Sequence, residues 1–220
     1  MVPRNKRALI VEGGYEGHKP REIALIVAHM LSQQHFEVEI YNTLAIFSHR
    51  DKLAEADLII PLWTMGELTP EQTLNLTETI AAGTGLAGLH ATADAFRSVI
   101  EYQAMIGGQF LAHPGGQNVT YRVHLPHPNH PLVAGIGDFV VTTEQYYMMV
   151  DPSIAVLAHS CFTVPAPPLV WRPVIMPTAW NKQYGKGRIY YNSLGHSPDI
   201  VLMPQVSEML RRGLVWASRR

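Results

Sequence analysis

Apolar positions along this chain follow two rhythms. Short uninterrupted runs alternate with segments in which apolar residues recur every three or four places. Ala8-Leu9-Ile10-Val11, between Arg7 and the Gly13-Gly14 pair, is such a run and predicts a buried parallel strand. From about Pro20, Ile23, Ile26, Val27, Met30 and Leu31 share one face of a helix. Phe36 to Tyr41 and Asp57 to Trp63 read as the second and third strands, the latter with a proline near its end. Thr69-Pro70-Glu71-Gln72 is a helix start, with threonine as N-cap, proline at the first turn and glutamine three residues after the cap. That helix ends near Gly83, Gly85 to Leu89 is a fourth strand, and a helix from about Ala93 to Ile106 stops at Gly107-Gly108. Four strand–helix alternations predict an α/β protein with a doubly wound, mainly parallel sheet and helices on both faces.

The second half is β-rich and less regular. Val119 to Leu125, Phe139 to Thr142 and Ile154 to Ala158 read as strands, and Ala179 to Tyr191 as a hairpin turning at Gly185-Lys186-Gly187. A last helix, about Pro204 to Ala217, turns Val206, Met209, Leu210 and Leu214 inward. No repeat or linker interrupts the pattern, and Pro165-Ala166-Pro167-Pro168 is too short to divide it, so residues 1–220 are expected to form one domain.

Composition narrows the classes. Hydrophobic residues are 47% and charged ones 16% of 220, which argues against disorder. The net charge is −1 with lysine and arginine scattered, so the basic stripe of a nucleic-acid binder is missing. No apolar run reaches the ~18 residues of a membrane span. Met1 to Arg7 holds no signal-peptide h-region, and Cys161 is a lone cysteine; both fit a cytoplasmic protein without disulfides. Asn118-Val119-Thr120 matches a glycosylation acceptor, but carries little weight without a secretory signal. Nor does a G-x-G-x-x-G or a hydroxyl-rich loop follow the first strand, so neither a dinucleotide nor a flavin is expected.

What stands out is histidine, eleven in all. In open α/β sheets ligands bind beyond the carboxyl ends of the strands, where strand order reverses. His18 follows the first strand in Gly13-Gly14-Tyr15-Glu16-Gly17-His18, His90 the fourth in Gly88-Leu89-His90-Ala91-Thr92, and His196 the last in Ser193-Leu194-Gly195-His196-Ser197-Pro198-Asp199. His113 lies past a helix end, before Pro114. The other histidines (29, 35, 49, 124, 127, 130 and 159) read as solvated residues or local hydrogen-bonders. Gly88-x-His90 resembles a nucleophile elbow, with Thr92 in place of the usual glycine. The dipole of a following helix would favour a neutral imidazole there. Glu144-Gln145-Tyr146-Tyr147 could add a carboxylate and a phenol, and Trp63, Trp180 and Tyr146 could stack on sugar faces.

Several segments together are similar to the trehalose-utilisation (ThuA-like) family. They are Gly88-Leu89-His90, Gly107-Gly108-Gln109-Phe110 with His113-Pro114, His130-Pro131-Leu132-Val133-Ala134-Gly135-Ile136, Glu144-Gln145-Tyr146, and Tyr184-Gly185-Lys186-Gly187-Arg188-Ile189-Tyr190-Tyr191-Asn192-Ser193-Leu194-Gly195-His196. The likeness spans about residues 7 to 217. It implies a flavodoxin-like sheet of the class I glutamine amidotransferase-like kind, and a role in sugar metabolism. In that comparison His90 stands where amidotransferases carry their cysteine nucleophile, so no glutaminase activity is expected.

Two classes of function remain open. One is an enzyme acting on a sugar or oxidised (keto) sugar, with His90 and His196 catalytic and His18, His113, Glu144, Tyr146 and Trp180 contacting substrate. His18, His90 and His196 would also suit a divalent metal, zinc first, although no H-x-H or H-x-x-x-H pair fixes their spacing. The other is a non-catalytic sugar-binding or sensing protein. The expected partner is a small sugar derivative, with a homo-oligomer left open and Cys161 without a catalytic role.

Overall fold

The computed structural model describes residues 5–219; most of the basic stretch ahead of the first strand, residues 1–4, lies outside it. The elements in chain order are β1 (Lys6–Gly13), α1 (Pro20–Ser32), β2 (Phe36–Tyr41), α2 (Arg50–Glu55), β3 (Leu58–Trp63), α3 (Pro70–Ala82), β4 (Gly85–Leu89) and α4 (Ile100–Ile106). Then follow β5 (Gly108–Ala112), β6 (Val119–Val123), β7 (Phe139–Thr143), β8 (Tyr147–Val150), β9 (Ala155–Phe162), β10 (Val174–Tyr184), β11 (Gly187–Asn192), α5 (Pro198–Leu202) and α6 (Pro204–Ala217). Seven strands form the central sheet in the order β2-β1-β3-β4-β11-β10-β9. The first five run parallel, and β10 and β9 continue the sheet antiparallel. Strand order reverses beside β1, which is the crevice-forming point of this architecture.

Alternation along β1 separates two cores. Ala8 and Ile10 face α1 and α6, packing with Ile23, Val27, Met209 and Leu214. Leu9 and Val11 face the opposite layer, with Leu53 of α2, Leu76 and Ile80 of α3, and Tyr102 and Met105 of α4. Apolar side chains on both faces are why the strands read as continuous hydrophobic runs. The start of α3 is as its sequence predicts. Thr69 Oγ1 accepts from the Gln72 amide at 3.2 Å and Gln72 Oε1 from the Thr69 amide at 3.0 Å, which contributes about 1 kcal/mol.

Several expectations are corrected. The helix from Ala93 is shorter: a single 3-10 turn, His90–Ala93, precedes an irregular stretch and then α4. Residues 94–96 are held instead by the loop after β3, because Met65 N donates to Asp94 O and Phe96 N to Met65 O. β9 runs four residues past Ala158, so Cys161 lies within a strand rather than on an irregular segment. The short β5 and β8 pair with each other, and β6 with β7, in two small antiparallel sheets. Among the described residues, no helix is long and apolar enough to cross a membrane.

Candidate metal and substrate site

Three of the site's side chains come from the carboxyl ends of parallel strands, as the histidine positions predict. His18 follows β1, His90 follows β4 and His196 follows β11. The elbow is real. His90 adopts φ +40°, a left-handed conformation uncommon for a residue with a Cβ. Thr92 stitches it down, its hydroxyl accepting from Leu89 N at 3.1 Å and donating to Pro61 O of β3. A Cβ on Gly88 would lie 2.3 Å from Thr92 Cγ2, so the elbow requires glycine there. At Gly195 a Cβ would meet Leu89 Cδ1 at 2.5 Å, and its absence lets the loop carrying His196 close onto the elbow.

The small sheets supply the fourth group. Glu144-Gln145-Tyr146 crosses from β7 to β8 and is pinned from both sides. Tyr121 Oη donates to Glu144 O at 3.0 Å, and Gln145 Nε2 donates to Ser160 Oγ at 3.0 Å and Cys161 O at 3.2 Å. The irregular second half thus delivers a carboxylate and a phenol to the strand ends.

One nitrogen or oxygen from each of His18, His90, Glu144 and His196 lies within 4.8 Å of all the others. Ring centroids of His18, His90 and His196 are separated by 4.8, 5.3 and 5.2 Å. His90 Nε2 is 3.3 Å from Glu144 Oε2 and 3.3 Å from His196 Nδ1, and His196 Nδ1 is 3.5 Å from Glu144 Oε2. Ligands at ~2.0–2.1 Å from a tetrahedral ion stand about 3.3–3.4 Å apart, so these three donors already have that spacing. His18 is the looser fourth, with Nδ1 held by Thr64 Oγ1 at 2.8 Å and Nε2 left for a ligand.

Tautomers follow from the partners. His90 Nδ1 is 2.9 Å from the Ser193 carbonyl oxygen, which can only accept, so Nδ1 carries the proton. A neutral His90 therefore turns a lone pair from Nε2 toward Glu144, and Tyr146 Oη donates to the same nitrogen at 2.8 Å. Burial drives the His90 pKa down; the following 3-10 turn is too short for the helix dipole to be the cause. Burial, then the neighbouring His90, lowers His18 to about 4. For Glu144 burial pushes upward, but the hydrogen bond with His196 outweighs it and holds the carboxyl well below the usual range. The centre is a buried carboxylate facing the neutral rings of His18 and His90, with His196 beside them, a donor set suited to an ion.

His113 sits at the rim, its Nε2 3.8 Å from Glu144 Oε1 and its side chain 39% exposed. Trp180 is not in the site. Its ring is fully buried against Tyr191 and its Nε1 donates to Ile106 O at 2.9 Å, so it is a core residue and the expected sugar contact is withdrawn. Trp63 packs over Gly13 and Gly66. Thr64, which orients His18, escaped notice in the sequence; its only signal is its place directly after β3, beside the reversal of strand order. Among the remaining histidines, His124 is a local hydrogen-bonder, with Nδ1 2.8 Å from Asp138 Oδ2.

A family model described as trehalose utilisation, ThuA, matches residues 7–217. The chain belongs to the ThuA family. Membership associates it with trehalose and carbohydrate utilisation. A ThuA-like protein from Bacteroides uniformis superposes with a TM-score of 0.79 at 19% identity, covering 99% of this chain and 93% of that one. One from Parabacteroides merdae gives 0.76 at 16% identity, covering 97% and 90%. A glutamine amidotransferase from Thermotoga maritima gives 0.51 at 11% identity, covering 87% and 76%. At these identities the likeness is one of fold, and it agrees with a flavodoxin-like, amidotransferase-like sheet. No curated protein matches the sequence.

Proposed function

We propose that this ThuA-family chain is an enzyme acting on a sugar or oxidised (keto) sugar at a divalent-metal centre held by His18, His90, His196 and Glu144. The observation that carries this reading is the convergence of His90 Nε2, His196 Nδ1 and Glu144 Oε2 at 3.3–3.5 Å. His90 Nε2 and Glu144 Oε2 face each other as two acceptors, an arrangement that a shared cation relieves. Glu144 is reassigned from a substrate contact to a ligand. Zinc suits the imidazole-rich set; with His90, His196 and Glu144 at tetrahedral spacing and His18 the looser fourth, a bound ion would have room to add a substrate or water oxygen as a fifth ligand, and so to polarise a carbonyl or activate water.

The chain's own groups hold and orient. Ser193 and Thr64 fix the rings of His90 and His18, as outer hydrogen bonds do for metal-ligating histidines. The recess bordered by His18, Thr64, Leu89 and Gly195 is about 10 Å³, room for about one water. A sugar therefore approaches from the side of His196 and His113, the more exposed pair, and His113 Nε2 is placed to hydrogen-bond a hydroxyl. Glutamine hydrolysis by the covalent thiolate route is not expected, since the elbow carries an imidazole where that route needs a thiolate.

The test is incubation of zinc-loaded protein with a panel of disaccharides and their keto derivatives, followed by NMR. Turnover lost in His90→Ala and Glu144→Gln supports the reading. Saturable sugar binding with no turnover would replace it with the non-catalytic sugar-binding role.

A further inference from the structure

Tyr146 touches a metal-facing nitrogen of the centre without belonging to the ligand set. Its side chain is buried at 2% exposure, and its ring lies 4.4 Å from His90 and 4.3 Å from Phe110, centroid to centroid. Its hydroxyl oxygen lies 2.8 Å from His90 Nε2. Because the Ser193 carbonyl fixes the other ring proton on Nδ1, Nε2 has a single in-plane lone pair. That lone pair accepts the phenol or binds an ion, and cannot do both.

We propose that the Tyr146 hydroxyl caps His90 Nε2 while the centre is empty and, once an ion takes that lone pair, turns to hydrogen-bond the substrate oxygen held beside it. The inference rests on the metal centre proposed above. An ion about 2.0–2.1 Å from Nε2 requires the phenol oxygen, 2.8 Å from that nitrogen in the empty centre, to swing out of line by a small tilt of its ring as the hydroxyl rotates about the Cζ–O bond. Glu144 and His196 are themselves ligands once the ion is bound, which leaves the oxygen entering a fifth coordination position as the natural new acceptor. Tyr146 would then oppose metal uptake and favour substrate uptake, two effects of opposite sign from one hydroxyl.

That opposition is the test. Protein stripped with a chelator is titrated with Co²⁺, wild type beside Tyr146→Phe. The visible spectrum reports the ion, and acetohydroxamate, which offers a carbonyl oxygen, then probes the open position. Loss of one hydrogen-bond competitor predicts Co²⁺ binding tighter by roughly 2- to 12-fold in Tyr146→Phe, with acetohydroxamate binding weaker by a similar factor. Co²⁺ binding that is equal or weaker in the variant, or acetohydroxamate affinity that is unchanged, overturns the proposal and leaves the metal centre standing. A wild type that binds no Co²⁺ overturns both. Should Tyr146→Phe misfold, ¹⁵N-histidine spectra of the wild type decide. The Tyr146 hydroxyl–His90 Nε2 coupling is expected in metal-free protein and lost with Zn²⁺, and its persistence with Zn²⁺ bound refutes the exchange.

Discussion

Replacing Gly88 by alanine should damage the elbow without touching any ligand. The new Cβ would fall 2.3 Å from Thr92 Cγ2, 2.5 Å from its Oγ1 and 2.6 Å from its Cβ. Thr92 cannot step aside freely. It is fully buried, bonded through its hydroxyl to Leu89 N and Pro61 O, and through its carbonyl to Tyr102 Oη at 3.0 Å. Overpacking of this kind costs about 1–3 kcal/mol, and stranding the Leu89 amide adds about 1–3 kcal/mol. The sum, about 2–6 kcal/mol, corresponds to a fall of about 4–24 °C in Tm for a protein of this size. Thermal and urea unfolding of Gly88→Ala, Thr92→Gly and the double variant measure it. The clash predicts strong coupling, with the double variant little worse than Thr92→Gly alone. Gly88→Ala within ~0.5 kcal/mol of wild type, or simple additivity with Thr92→Gly, would refute the reasoning.

Metal-free protein should lose stability as pH falls from 7 to 5. His18 binds its proton at about 4 when folded against 6.5 when unfolded, so its stabilisation is present above 6.5 and lost as pH falls toward 4. Its share between pH 7 and 5, discounted for solvent screening of the part-exposed ring, is about 1 kcal/mol, read as a Tm difference that His18→Asn should reduce; a profile unchanged in that variant would count against it. Trp180→Phe strands the Ile106 carbonyl and should cost about 1–3 kcal/mol while leaving Co²⁺ affinity within about twofold, whereas a selective loss of sugar affinity would restore Trp180 to the site. Cys161→Ser should leave metal affinity and turnover unchanged, because the thiol sits in β9 outside the cluster; loss of either in a folded variant would contradict that.

The parallel half was legible because each strand is apolar on both faces and each helix on one. Ala8 to Val11 and Ile23 to Leu31 therefore announce their type and, through alternation, their layer. His18, His90 and His196 were found together because strand ends converge in this architecture. Glu144 could be flagged but not placed. Its position depends on Tyr121, Ser160 and Cys161, which lie 16 to 23 residues away and whose pairing no local pattern encodes. Trp180 misled for a related reason. An indole in a strand looks alike whether it faces a cleft or a core, and only the Ile106 carbonyl opposite shows which. The break after His90 was hidden too, because residues 94–96 have helical composition but bond to the loop after β3.

The central claim is that His18, His90, His196 and Glu144 together hold one divalent ion. Equilibrium dialysis of chelator-stripped protein against micromolar Zn²⁺, followed by elemental analysis, tests it most directly. One ion per chain in the wild type, lost in His90→Ala and Glu144→Gln that remain folded, is the predicted result. A wild type that retains no zinc, or variants that retain it undiminished, would contradict the account.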